Sequence, residues 1–300
     1  MITNSKKILK KVAELRNIKG DLSAGIRLLE KGLQQVEDKE KPQLLLALAH
    51  LYIDTGKTEK AEKTFRKAIL LAGKIGDLLS KADSQRKLAY LLWHKNANKQ
   101  QALTLCHDAQ KTLRMAPQNK ASIKIAANIY ATFGNIYGDS RDLKKALLWY
   151  KKAQIACQKS RFKEREVTVL GDLGNVYSWL GDFGKAEMYL MKALERARVF
   201  YRHAYPSSLL RLGRLFLNRE NPKRDLKLAK DFTKKSLEIA MKEGWRREQA
   251  DAYEHLAKIY LETGDKDEAI KMLNKALKIY QELKYSWNVR SVKRQIKEVA

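Results

Sequence analysis

The chain has 300 residues, 44% hydrophobic and 32% charged, with only 4 Pro and 15 Gly; this is the usage of packed amphipathic helices and excludes an all-β or collagen-like chain. Lys and Arg number 61 against 34 Asp and Glu, a net charge of +27 that favours acidic partners, nucleic acid or an anionic surface. The excess is spread evenly, without a basic tail, and so reads equally as a solvated Lys-rich helix surface.

The opening stretch MITNSKKILKK has no apolar leader, and the longest apolar runs, such as Leu44 to Ala49, fall far below the roughly 18 residues of a membrane span. A cytoplasmic protein without a membrane span is expected. Cys106 and Cys157 lie in apolar helical patterns with no CxxC or Cys/His spacing, so buried free thiols are expected rather than a disulfide framework or a zinc site.

One pattern then recurs along the chain. Its weakest copy, over 6–40, holds Val12, Ala13, Gly25, Leu29 and Gly32. In 42–75 a small residue, Ala49, is followed by Tyr52, then by Ala61 and Ala68. The copy over 82–116 is looser, with Leu88, Ala89, Leu92, Ala102, Cys106 and Ala109. The copy over 121–160 has Gly134, Tyr137, Ala146 and Ala153, and the one over 164–200 has Gly174, Tyr177, Ala186 and Ala193 in the same register. Leu212, Gly213, Phe216, Ala229, Thr233 and Ser236 mark 206–243; Leu256, Ala257, Tyr260, Gly264, Ala269, Leu273 and Ala276 mark 248–284. The spacing predicts a pair of helices per copy. A small residue lets the first helix approach the second, the aromatic three residues on fills the next groove, and the alanines let the next pair stack. Thr55-Gly56-Lys57, Gly181-Asp182 and Gly264-Asp265 are the predicted turns, Pro42, Pro117 and Pro206 lie before or at first helices, and Pro222 falls in an enlarged turn. Residues 286–300, with Trp287, Val289, Val292, Ile296 and Val299, predict a closing helix with a polar outer side.

These residues resemble the tetratricopeptide repeat, whose pattern is L-G-x-x-Y in a first helix and A-x-x-x-F followed by Ala in a second. The small first-helix positions, 13, 49, 89, 134, 174, 213 and 257, are 36 to 45 residues apart, against 34 in the common repeat. Such long repeats look like those of kinesin light chains, of the mitotic-spindle adaptor with Gly-Asn repeats and of bacterial peptide-sensing regulators. The resemblance implies an all-α fold: a right-handed α-solenoid of about seven hairpins plus a C-terminal capping helix, one domain over residues 1–300.

It also implies that first helices line a concave groove for a protein or peptide ligand. Projecting the positions beside the packing residues gives Gln43, His50 and Asp54, then Asp83, Arg86, Tyr90 and Trp93, then Asn128, Asn135 and Asp139. Thr168, Asp172, Asn175 and Trp179 follow, then Arg211, Arg214 and Asn218. Asn135 and Asn175 can both donate to and accept from a ligand backbone, and similar families use such asparagines so; each equally suits a local turn cap. Tyr90, Trp93 and Trp179 are hot-spot anchors or core aromatics. Arg86, Arg211 and Arg214 can clamp a carboxylate or phosphate, or are solvated charge. The chaperone-binding version of the fold uses a Lys where this chain has Ala131 and Gly171, so a co-chaperone is not expected.

No HExxH, P-loop, GxSxG or dinucleotide fingerprint occurs, and Glu254 and His255, adjacent on a helix, point to different faces. The expectation is a non-enzymatic intracellular scaffold or adaptor, without cofactor or metal, binding a protein or peptide segment of acidic character. The rivals are a basic helical repeat that binds RNA or DNA, and a peptide-sensing regulatory domain.

Overall fold

The computed structural model describes residues 4–17, 21–96, 98–283 and 285–299. Among them there are fifteen α-helices, two short 3-10 turns and no strand. The chain divides into two compact units, Met1–Ser160 and Arg161–Ala300.

The first unit holds four antiparallel hairpins: α1 (Asn4–Asn17) with α2 (Leu22–Gln35), α3 (Lys41–Asp54) with α4 (Thr58–Lys74), α5 (Leu78–Asn96) with α6 (Lys99–Arg114), and α7 (Lys120–Asp139) with α8 (Leu143–Ser160). The second holds α9 (Lys163–Trp179) with α10 (Phe183–Phe200), α11 (Tyr205–Leu217) with α12 (Leu226–Lys242), α13 (Arg246–Glu262) with α14 (Lys266–Glu282), and a last helix α15 (Ser286–Val299). Each helix packs on its hairpin partner, and within a unit each hairpin packs on the next. Neither hairpin nor single repeat can bury its apolar face alone, so stacking supplies the core.

The turn between paired helices is written in a few residues. In the fifth hairpin Gly181 takes φ 78°, a left-handed conformation that costs a side-chain-bearing residue about 1–2 kcal/mol. The Asp182 N–H then donates back to the Tyr177 carbonyl at 2.9 Å, and the Asp182 carboxylate accepts from the Lys185 N–H at 3.0 Å, capping α10. Gly264 and Asp265 repeat the device: φ 81°, a bond to the Tyr260 carbonyl at 2.9 Å and a cap on Glu268 N–H at 3.1 Å. In the fourth hairpin Arg141 takes the left-handed place, φ 60°. The recurring Tyr has a second use. Lys60 lies over the Tyr52 ring, Lys145 over Tyr137 and Lys185 over Tyr177, at 6.0, 5.4 and 5.5 Å from the centroid. Part of the positive charge is therefore spent within the repeats.

The small residues sit where the helices of a hairpin cross. A Cβ on Gly134 would stand 2.6 Å from the Tyr150 ring, and one on Gly174 would stand 2.6 Å from Leu190 and 3.2 Å from the Ala186 carbonyl. Ala61, Ala68, Ala146, Ala153, Ala186, Ala193, Ala269 and Ala276 are wholly buried, as the repeat requires. The first hairpin departs from this grammar. Ala13, the expected crossing residue, is exposed, and the close approach is made instead by Gly25 against Leu51 and Val12 and by Gly32 against Ile8. α15 closes the second unit with Val292 buried and Val289 and Ile296 packed beside it, while Arg290, Lys293, Arg294 and Lys297 are exposed. The Trp287 side chain and Ala300 lie outside the described residues. Cys106 and Cys157 are buried and unbridged, and burial pushes the Cys106 thiol up to about 12.

Candidate functional site

First helices present one face in each unit, and the sequence-derived candidates divide between them. In the first unit α1, α3 and α5 surround a hollow of about 380 Å³ floored by Leu9, Val12, Leu46 and Leu51 and edged by Gln43, His50 and Lys87. Beside it Asp83 accepts from Arg86 at 2.8 Å and pairs with Lys87 at 3.2 Å. Burial works to raise the Asp83 pKa, but the two cations outweigh it and hold the carboxyl at about 2. Burial lowers the pKa of Lys87 against the pull of Asp83. Tyr90 is exposed, with its ring 4.2 Å from that of His94.

Other candidates of this unit are held by the fold. Trp93 packs against the α5–α8 core and donates its indole N–H to Asp139 at 2.9 Å, which is the core alternative for that ring. Asn135, on α7, accepts the Tyr150 hydroxyl proton at 2.7 Å; its Oδ1 is committed within the hairpin and only its amide N–H groups are left to donate to a ligand. Asn128 lies half-buried two turns earlier on the same helix.

In the second unit α9, α11 and α13 form a ladder of charge. Arg211, on α11, reaches back to Asp172 on α9 at 2.8 Å. Its guanidinium lies over Gly171, where an added Cβ would stand 3.1 Å away. Gly171 is thus covered by an arginine from the next hairpin. Arg211 Nη1 is buried without a hydrogen-bond partner among the described residues. Arg214, one turn on, is exposed; desolvation first and the charge of Arg211 second lower its pKa, opposed by Asp251 and Glu254. Those carboxylates are themselves engaged. Tyr280 Oη donates to Asp251 at 2.6 Å, and Gln295 of α15 donates to Glu254 at 2.9 Å.

Asn175 lies half-buried on α9, and Trp179, at the end of that helix, is 45% exposed. Thr168 Oγ1 donates to the Arg165 carbonyl at 2.9 Å. Asn218 lies beyond the end of α11, where its Oδ1 accepts from the Glu220 N–H at 3.0 Å and shapes the turn. Sequence reasoning missed Lys87, Asp251, Glu254 and Tyr280. Extending the same positional projection to the seventh repeat names Asp251 and Glu254, six and three residues before Ala257.

His255 faces the core instead. Thr233 Oγ1 donates to the Ala229 carbonyl, so the His255 Nδ1–H must donate to Thr233, 2.8 Å away, and the ring is neutral. Burial first, then Arg214 and Lys258, push its pKa from 6.5 to about 3. The unfolded chain takes up this proton at higher pH than the folded one. Stability is therefore full above pH 6.5 and falls by about 1.4 kcal/mol per pH unit as the pH drops from there toward 3. Urea titrations at stepwise lower pH are expected to show this component of the slope, and to show it missing in His255→Gln.

Among the described residues there is no group of three or more His, Cys, Asp or Glu placed to hold a metal ion, and no helix long and apolar enough to cross a membrane. Sequence models of the tetratricopeptide repeat match residues 18–77, 167–200 and 223–282. Among solved structures, a tetratricopeptide repeat protein from Parabacteroides merdae is similar over 99% of this chain and 98% of its own, at 16% identity and a TM-score of 0.59. The apo form of RapI is similar over 86% and 97%, at 16% identity and a TM-score of 0.62. A signal-transduction ATPase with a tetratricopeptide repeat sensor, from Pyrococcus horikoshii, is similar over 98% of this chain but 44% of its own, at 20% identity and a TM-score of 0.61. This chain spans less than half the length of that protein. No curated protein matches the sequence significantly. At these identities the likeness carries the fold alone.

Proposed function

The chain belongs to the tetratricopeptide repeat family, and from that premise we propose that it is a non-enzymatic intracellular adaptor whose first-helix faces bind a protein or peptide segment of acidic character. Protein interaction is the kind of role the repeats support. The observation that carries the acidic preference is the neighbouring pair on α11: Arg211 is held over Gly171 with its Nη1 short of an acceptor, and Arg214 stands beside it, its charged form disfavoured first by desolvation and second by the charge of Arg211. A ligand carboxylate or phosphate placed over Arg214 relieves the repulsion from Arg211 and accepts charge-assisted hydrogen bonds. Asn175 and the Asn135 amide are proposed to hold the ligand backbone, and Trp179 and Tyr90 to supply apolar contact.

The geometry selects the variant for the test. Arg211→Glu would break the Asp172 pair and disturb the packing over Gly171, and Asn135→Ala would strand the Tyr150 hydroxyl, so both mix binding with stability. Arg214 makes no hydrogen bond or ion pair among the described residues, so Arg214→Glu breaks none; it does set a carboxylate near Asp251 and Glu254 and removes a charge acting on His255, and Arg214→Gln, which adds no carboxylate, is its companion. Affinity capture from lysate of the source cells, after nuclease treatment, is expected to return a defined protein with wild type, to lose it at least about tenfold with Arg214→Glu, a change of about 1.4 kcal/mol or more, and to weaken it with Arg214→Gln, the melting temperature of each variant being measured alongside. Capture unaffected by Arg214→Glu removes the arginine from the account; recovery of nucleic acid that dissociates steeply with salt replaces the adaptor by a phosphate-binding surface.

A further inference from the structure

A second surface lies elsewhere in the first unit, between second helices. α6 and α8 stand apart over α7 and leave a cleft of about 400 Å³, within the roughly 300–1,000 Å³ typical of ligand pockets. Its floor is apolar: Leu113, Ile123, Ala126 and Ile129. Small side chains open it, because Ser122 and Ala126 of α7 and Ala156 of α8 leave room that Leu or Phe would fill. At its edge Ile155 is 52% exposed, so the apolar lining reaches the surface.

The rim is basic. Arg114, Lys152 and Lys159 line the cleft, and no Asp or Glu does. The Lys152 ammonium lies over the Trp149 ring, 4.4 Å from its centroid, a cation–π contact that holds the charge at the wall of the cleft without a carboxylate partner. Several cations elsewhere in the chain have a local carboxylate, as in Lys185 with Asp182, Lys271 with Glu268 and Arg224 with Glu262. Here three are gathered around an apolar trough without one.

We propose that this second-helix cleft docks a short amphipathic segment of a partner protein, apolar side chains set into the trough and flanking Asp or Glu on Arg114, Lys152 and Lys159. The chemistry is that of an amphipathic helix in a groove, with complementary charge at the edges. A second copy of the chain is a poor occupant, since each carries +27 and the copies repel. The site stands independently of the first-helix face.

Selection of a random 12-residue peptide display library on the wild-type protein, with counter-selection on a Lys152→Glu/Lys159→Glu variant, tests it. Both lysines are exposed, so the variant is expected to melt like wild type; Ala126→Trp, which fills the floor, is the second variant and needs no charge change. The expected result is a set of cleft-dependent peptides with paired Leu, Ile, Met or Phe flanked by Asp or Glu. Each should lose at least about tenfold in affinity with either variant and hold its affinity with Arg214→Glu. Cleft-dependent peptides without acidic flanks, absence of any cleft-dependent peptide, or a concentration-dependent dimer abolished by the same variants would overturn the proposal.

Discussion

Phe133→Ala is expected to lower the unfolding free energy by about 3–5 kcal/mol. The ring is fully buried, stacks on Trp149 of α8 at 4.2 Å, and meets His107 of α6 at 4.8 Å. It therefore joins the third hairpin to the fourth, and its removal opens a cavity at the join as well as removing apolar area. In a stack where each hairpin depends on its neighbours, weakening one join lowers stability and cooperativity together. Urea unfolding followed by circular dichroism is expected to show an earlier and broader transition. Leu70→Ala, at a side chain 74% exposed, is the control and is expected to stay within about 0.5 kcal/mol.

Arg196→Met is expected to cost about 3 kcal/mol. Glu166 lies in the first turn of α9 with its side chain only 2% exposed, and it is paired with Arg196 of α10. Removing the cation leaves a carboxylate in the core without its partner, and stranding one member of a buried pair costs about 3–5 kcal/mol. The low end applies because Arg196 is 36% exposed and the α9 N-terminus itself favours negative charge. Adding Glu166→Gln to Arg196→Met is expected to recover much of the loss. A double mutant no better than the single would show that Arg196 acts through packing.

The hairpins were legible because their signals are short-range. Gly174, Tyr177, Gly181, Asp182 and Ala186 follow one another in the chain as crossing point, groove filler, turn, cap and second-helix contact, and each role is set by steric size or a local hydrogen bond. The candidate faces were legible as positions and less so as chemistry. Nothing in the spacing of Arg211 says that its guanidinium crosses to the previous first helix and settles over Gly171 beside Asp172, because a long flexible side chain chooses among partners that only packing brings near. The same holds for Trp93 with Asp139 and for Asn135 with Tyr150, where the partner is supplied by another helix. The first hairpin misled for a different reason. Its small residues, Gly25 and Gly32, are on the second helix, so a register borrowed from Gly134 and Gly174 placed the crossing at Ala13. The basic cleft between α6 and α8 had no motif at all, since it arises from small residues on two helices that happen to face one opening.

The central claim is that a partner lies on the first-helix face, and hydroxyl-radical footprinting of the protein with and without its captured partner tests it most directly. Trp179, at the end of first helix α9, and Met188 and Met191, on second helix α10, are all exposed and chemically reactive, so the two faces of one hairpin report separately. Binding on the first-helix face predicts that Trp179 is protected while Met188 and Met191 oxidise as before; protection of the two methionines with Trp179 unchanged would contradict it.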